Sequence, residues 1–340
     1  MKVFVTGATG LVGAHTARAL LDAGHDVRLL VRDENLARTY FARHGYRLDD
    51  FIIGDMRDTD TVKAGLEGCD GVVHAAALVS VDPKRADEIY RNNVAGIESV
   101  IGSACAAGIE RIVYVSSLSV LMQPDIDTVN EHTPLGNPIS PYGRSKRACD
   151  EHVRRLQEDG HPIQITYPSG IFAPDDPKMS EANKGVATLL RTIPVTSSGL
   201  QIVDARDLGA MQARLIEQGP ADAPLDRRFI TAGPYFPWDE FHGMLETLVE
   251  RKIVSIPLPG ALLRGIGRLN DWASRIVPFE SQITYEAMSY ATRWVTADAS
   301  KVEQHTGVNF RPGSETFADT IRWLVADGHM PPKLAGSLAP

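Results

Sequence analysis

The stretch Val5-Thr6-Gly7-Ala8-Thr9-Gly10-Leu11-Val12-Gly13 decides the fold. Ahead of it, residues 2–6 form a short apolar run that reads as a strand. Behind it, residues 10–23 carry apolar side chains at helical period and stop at Gly24. Each glycine in this strand–loop–helix junction has its own task. Gly7 lets the chain turn sharply, Gly10 lets backbone approach an anion with no Cβ in the way, and Gly13 lets the helix pack closely on the sheet. The free N–H groups and the positive end of the helix dipole then face a pyrophosphate. Thr9, Leu11 and Val12, lying among the glycines, join them as candidate cofactor contacts.

Outward from that loop, strand and helix signals alternate. Residues 25–31, 51–53, 71–74, 111–115 and 161–167 read as five more strands. Helical stretches at 36–44, 59–66, 85–107 and 141–158 lie among them. This rhythm implies βαβ units, a parallel sheet and right-handed crossovers: an α/β, Rossmann-type doubly wound fold. After Pro168 the rhythm breaks into short apolar runs with Pro174, Pro177, Pro194 and Gly199, then helical stretches at 238–251, 260–276 and 314–326. The expected organisation is a dinucleotide-binding domain at 1–167, to which 200–230 returns. A smaller, mostly helical substrate-binding region follows at 168–199 and 231–329. The Pro-, Gly- and Ala-rich stretch 330–340 reads as a flexible tail.

The totals narrow the function. A chain of 340 residues suits about two domains. A formal net charge of −8 speaks against nucleic-acid binding. Cys69, Cys105 and Cys149 have no zinc-like spacing, so reduced thiols and no metal site are expected. No apolar run reaches about 18 residues, so no membrane span is expected. The nearest, 257–277, is interrupted by Arg264, Arg268, Asp271 and Arg275. The N-terminus enters a strand without an apolar signal core, which makes the cytoplasm the expected location.

Tyr142-Gly143-Arg144-Ser145-Lys146 places a tyrosine and a lysine one turn apart on one helix face. A tyrosine pKa of about 10 is too high for easy proton exchange near neutrality. A nearby ammonium and a nicotinamide cation would favour the phenolate. The end of the fifth strand offers three hydroxyls, Ser116, Ser117 and Ser119, as candidate partners.

The TGxxGxxG spacing together with this YxxxK pair resembles the extended short-chain dehydrogenase/reductases of the NAD-dependent epimerase/dehydratase family. Its look is that of the dihydroflavonol-reductase-like and 3-beta-hydroxysteroid-dehydrogenase-like members, the last resemblance carried by the apolar stretch 253–277. The resemblance implies catalytic roles for Ser117, Tyr142 and Lys146, and an organising role for Asn93. Ser117 and Tyr142 would hold the substrate oxygen, and Lys146 the nicotinamide ribose. It implies that Asp55, with the backbone of Met56, meets the adenine. Ala75, Ala76 and Ala77 would run along the cofactor, and Pro168, Gly170 and Ile171 would turn beside the carboxamide. Tyr167 and Ala173 depart mildly from the pattern, while Asp204 and Asp207 read as structural caps. Arg32, at the end of the second strand, favours NADP by pairing with a 2′-phosphate; Asp33 beside it keeps NAD open.

The expected activity is therefore NADP(H)-dependent interconversion of a ketone or aldehyde and an alcohol on a small-to-medium apolar substrate. The alternative is a sugar-nucleotide epimerase with tightly bound NAD, for which Arg191, Arg227 and Arg228 could meet a second diphosphate. Leu118 and Ser119 stand where family dehydratases carry an acidic pair, which argues against dehydration. A non-catalytic NADP-binding sensor is a third reading, which the intact Ser117, Tyr142 and Lys146 disfavour. The resemblance implies a homodimer through the long helices.

Overall fold

The computed structural model describes residues 1–79, 85–123, 126–138, 140–276, 283–293 and 295–339; Val277 and Pro340, the last residues of two stretches named above, lie outside these. The first half runs β1 (Lys2–Thr6), α1 (Leu11–Asp22), β2 (Asp26–Val31), α2 (Glu34–Arg43), β3 (Phe51–Ile53), α3 (Thr59–Leu66), β4 (Gly71–His74), α4 (Ala86–Ala106) and β5 (Arg111–Val115). A two-residue β6 (Thr128–Val129) precedes α5 (Pro141–Glu158) and β7 (Ile163–Pro168). Proline at the first turn of α5 needs no N–H there, and Ser140 Oγ caps the helix by accepting from Gly143 N at 2.9 Å.

The second half runs β8 (Gly170–Phe172), α6 (Glu181–Leu189), β9 (Thr192–Val195), β10 (Gly199–Asp204), α7 (Ala205–Gln218), β11 (Arg228–Thr231), β12 (Tyr235–Pro237) and α8 (Trp238–Val249). It continues through β13 (Val254–Pro257), α9 (Gly260–Ile276), α10 (Tyr285–Thr292), β14 (Thr296–Ala297), α11 (Ser300–Thr306), α12 (Gly313–Ala326) and α13 (Pro332–Ala335).

The central sheet has seven strands in the order β11-β7-β5-β4-β1-β2-β3, all parallel. The chain starts mid-sheet at β1, winds outward to β3 and returns to β4 on the other side. That reversal opens a crevice at the carboxyl ends of β1 and β4, where an open α/β sheet binds ligands. Six strands were legible in sequence. The seventh, β11, is four residues long and pairs with β7 through Arg228↔Ile165 to Thr231↔Pro168.

A second core gathers Phe172, Phe241 and Phe317, with ring centroids 4.9 Å (Phe172–Phe317) and 5.0 Å (Phe241–Phe317) apart. Small strand pairings, β8 and β12 on β10 and β13 on β9, frame it. Two expectations need correction. Val295, Ala297, Ala299 and Val302 pack in the core around the central sheet, with Val3, Val72 and Val113, not with the rest of 231–329, because β14 pairs with β6. The tail is folded: α13 buries Leu334 and Ala335, and Ser337 Oγ donates to Leu248 O at 3.0 Å. Alternating small apolar residues there gave no visible period. Among the described residues no helix is long and apolar enough to cross a membrane, and no group of three or more His, Cys, Asp or Glu could hold a metal.

Candidate active site

The glycine loop stands at the crevice. Gly7 has φ +81°, and a Cβ there would meet Ala76 N at 2.6 Å, so the loops after β1 and β4 touch through a glycine that no other residue could replace. A Cβ on Gly13 would strike Gly7 C at 2.5 Å and Ala8 N at 2.8 Å. Gly10 is the N-cap of α1 and supplies no side-chain cap, so the first amides of the helix stay open towards the crevice.

A cavity of about 940 Å³ begins at this loop. Of the sequence-predicted cofactor contacts, Gly7, Thr9, Gly10, Arg32, Asp55, Met56, Ala75, Ala76 and Ala77 line it. Gly13 is buried beneath the loop, and Val12 is half-buried on α1. Leu11 packs with Ala173, Ala205 and Ile171, which joins the start of α1 to the segment after β7. Pro168 and Gly170 end β7 and begin β8 in that segment.

At the end of β2, Arg32 makes no hydrogen bond or ion pair among the described residues, whereas Asp33 Oδ1 accepts from Leu36 N at 3.0 Å as the N-cap of α2. Asp55 is engaged too. Its oxygens accept from Arg57 Nε at 2.7 Å and Nη2 at 3.1 Å, which holds its carboxyl below the usual range. Asn93 is buried. Its Oδ1 accepts from Leu78 N at 2.7 Å, and its Nδ2 donates to Leu78 O at 3.1 Å and to Ser145 Oγ at 3.0 Å. It therefore ties the loop after β4 to α5.

Around the end of β5 the three serines separate. Ser116 is buried and its Oγ donates to Asp150 Oδ2 at 2.6 Å, which removes it as a substrate contact. Ser117 and Ser119 are half-buried and joined Oγ to Oγ at 2.9 Å. Lys146 is 5% exposed, donates from Nζ to Val115 O at 2.9 Å, and faces the Tyr114 ring at 5.3 Å. Burial pulls its ammonium below the usual lysine pKa, against the opposing pull of Cys149 and Asp150. Tyr142 is half-buried on the same helix. Neither these side chains nor Ser117 line the cavity.

Sequence reasoning missed Lys178. It lines the cavity and its Nζ lies 2.9 Å from Thr9 Oγ1, 169 residues away in sequence. The only local signal was a lysine in a proline-rich segment. The apolar face of α9 also departs from expectation: Leu262, Ile266, Leu269 and Trp272 are exposed and line no part of the cavity. Asp204 does cap α7, accepting from Arg206 N, and Asp207 accepts from Arg311 N, so both hold structure.

The residues present fit a dinucleotide: open helix amides, a glycine-only close approach, and a cation, Arg32, with no ion pair among the described residues. Residues 3–219 match the model of the NAD dependent epimerase/dehydratase family. A Synechocystis sp. protein provisionally named dihydroflavonol 4-reductase is 26% identical over 336 residues, 96% of this chain and 95% of its own length. Sterol demethylase protein B of Methylococcus capsulatus is 26% identical over 95% of this chain and 98% of its own. The crystal structure of UDP-glucose 4-epimerase from Bifidobacterium longum, in complex with NAD+ and UDP, superposes with a TM-score of 0.74 at 18% identity, covering 96% of this chain and 99% of that one.

Proposed function

We propose, from the premise that this chain belongs to the NAD-dependent epimerase/dehydratase family, that it is an NADP(H)-dependent oxidoreductase acting on a C=O/CH–OH pair. The observation that carries the cofactor reading is the pair at the end of β2. Asp33 spends its carboxylate capping α2, while Arg32 stands in the cavity with no ion pair among the described residues. One oxygen of the acidic residue able to accept from a ribose 2′-hydroxyl is thereby engaged, and a guanidinium suited to a 2′-phosphate is left in place.

A bound nicotinamide dinucleotide supplies or accepts the hydride. The chain does the rest. Tyr142 and Ser117 hydrogen-bond the substrate oxygen, and Tyr142 gives or takes its proton. The Lys146 ammonium lies behind them on the helix that carries Tyr142, where its charge favours the phenolate. Asn93 acts through Ser145 and Leu78 and positions the helix that carries Tyr142 and Lys146. A substrate of small-to-medium apolar character is supported by the dihydroflavonol reductase and sterol names of the full-length relatives, since the apolar face of α9 points outward.

The epimerase reading has the family name and the UDP-glucose 4-epimerase likeness in its favour. Two of its three diphosphate candidates, Arg227 and Arg228, are engaged elsewhere, while Arg191 is exposed. Arg227 gives its donors to the carbonyls of Ala221, His161 and Asp222, and Arg228 begins β11 at the end of the sheet away from the crevice, bonded to Gln157.

The test is to titrate NADPH and NADH separately into the protein, then screen ketones and alcohols with the preferred form. Wild type should turn over an apolar carbonyl with NADPH, and Tyr142→Phe should lower turnover by ~10²- to 10⁴-fold. Copurified NAD that resists dialysis, or full activity in Tyr142→Phe, would overturn the proposal.

A further inference from the structure

Lys178 and Arg32 face one cavity from different parts of the chain: Arg32 from the end of β2, Lys178 from the loop between β8 and α6. Neither has a carboxylate in ion-pair contact among the described residues, and Lys178 Nζ donates to the Thr9 hydroxyl. They are near enough that Arg32's charge adds to burial in lowering the Lys178 ammonium pKa, with Asp33 pulling weakly the other way. Two like charges facing one cavity, neither in an ion pair among the described residues, are the arrangement of an anion site.

The lysine loop is anchored on the adenosine side. Asp175 pairs with Arg18 of α1 at 3.0 Å and lies 3.7 Å from His44 Nδ1, just after α2, while Tyr40 OH of α2 donates to Asp175 O at 2.9 Å. His15 of α1 holds Pro174 O at 3.0 Å. Asp176 fixes the turn by accepting from Lys178 N and Ser180 N. Asp175 and Met179, on either side of Lys178, adopt left-handed φ of 59° and 51° without being glycine. Such backbone persists only where its surroundings over-determine it. Every one of these ties is to α1, α2 or the loop itself, none to the nicotinamide side.

We propose that Lys178 reads the 2′-phosphate of NADP together with Arg32, so that the second part of the chain clamps the cofactor bound by the first. This rests on the NADP reading above. The phosphate would lie between guanidinium and ammonium, and Thr9 would hold the lysine ready before the ligand arrives.

The experiment uses the full chain and calorimetric titration with NADPH, NADH, adenosine 2′,5′-bisphosphate and 5′-AMP, for wild type, Lys178→Met and Lys178→Arg. Losing one charge-assisted contact should weaken NADPH and the bisphosphate by about 10- to 100-fold in Lys178→Met. NADH and 5′-AMP should stay within about 2-fold, and Lys178→Arg should recover most of the loss. A merely structural lysine would not move the ratio between the bisphosphate and 5′-AMP. Equal weakening of NADPH and NADH would assign the lysine to the pyrophosphate and overturn the proposal, as would no weakening at all. If wild type itself binds the bisphosphate no more tightly than 5′-AMP, the cofactor reading falls first and the lysine's role falls with it.

Discussion

The side-chain amide of Asn93 donates to Ser145 Oγ at 3.0 Å, and through that bond the loop that follows β4 is fastened to the helix bearing Tyr142 and Lys146. The same amide brackets both backbone groups of Leu78. Asn93→Ala leaves the part-buried N–H and C=O of Leu78 without their side-chain partner and takes a donor from Ser145 Oγ, which keeps its bond to Tyr142 O, at about 1–3 kcal/mol for such a group. Urea unfolding should show a loss of ~3 kcal/mol, and turnover should fall more than in Ser145→Ala. A variant as stable as wild type would show that the fastening is dispensable.

Gly13 and Gly24 make a paired test of the glycine loop. A Cβ at Gly13 meets backbone of Gly7 and Ala8, which cannot yield, whereas Gly24 has φ +80° and open space around it. Gly24→Ala should cost about 1 kcal/mol. Gly13→Ala should cost ~3 kcal/mol or more and weaken nucleotide binding as the loop is displaced. Thermal melts with and without NADPH separate the two; similar behaviour of both variants would contradict the packing argument.

Burial pushes His15 down to about 4 and His74 down to about 3, from 6.5. Between those values and 6.5 the unfolded chain binds more protons than the folded one, so stability is fully present above pH ~6.5 and is lost as pH falls through this window. The contribution is on the order of 3 kcal/mol for each histidine. Unfolding free energy measured from pH 7.5 to 4.5 should decline. His15→Gln, which keeps a donor for Pro174 O, should make the decline shallower. An unchanged slope would remove His15 from the account.

Asp150 is wholly buried and accepts from Ser116 Oγ, Arg154 Nε at 2.7 Å and Tyr167 OH at 3.2 Å. Its charge also supports that of Lys146. Asp150→Asn should lose about 3 kcal/mol by stranding Arg154. It should also move the alkaline limb of the pH–rate profile to lower pH, because Lys146 loses a stabilising anion. A destabilised protein with an unmoved alkaline limb would make Asp150 a purely structural residue.

Legibility in the sequence followed the range of the forces involved. The glycine loop and α1 could be read because steric demands at Gly7 and Gly13 act within a few residues. The order of β strands followed from chain rhythm. β11 escaped notice because four residues carry no period of their own and gain their strand character from β7. The long-range ties escaped as well. Nothing near Lys178 announces Thr9, nothing near Val295 announces β6 and the core around the central sheet, and nothing near Ser116, an alternative to Ser117, announces Asp150, which accepts its hydroxyl proton. The amphipathic pattern of α9 was visible, but a pattern does not say whether its apolar face meets a core or water.

The late return of β11 has a consequence for how the polypeptide can be divided. A chain ended after α7 would keep the glycine loop, Tyr142 and Lys146, yet it would strip β11 from β7 and remove α11, whose Lys301 Nζ donates to Arg228 O at 3.0 Å. The bared backbone of β7 would then be an edge able to recruit any extended peptide. Such a fragment should aggregate rather than stand alone, so gene fusion or shuffling that borrows only the first two hundred residues would deliver the catalytic set without a body able to hold it.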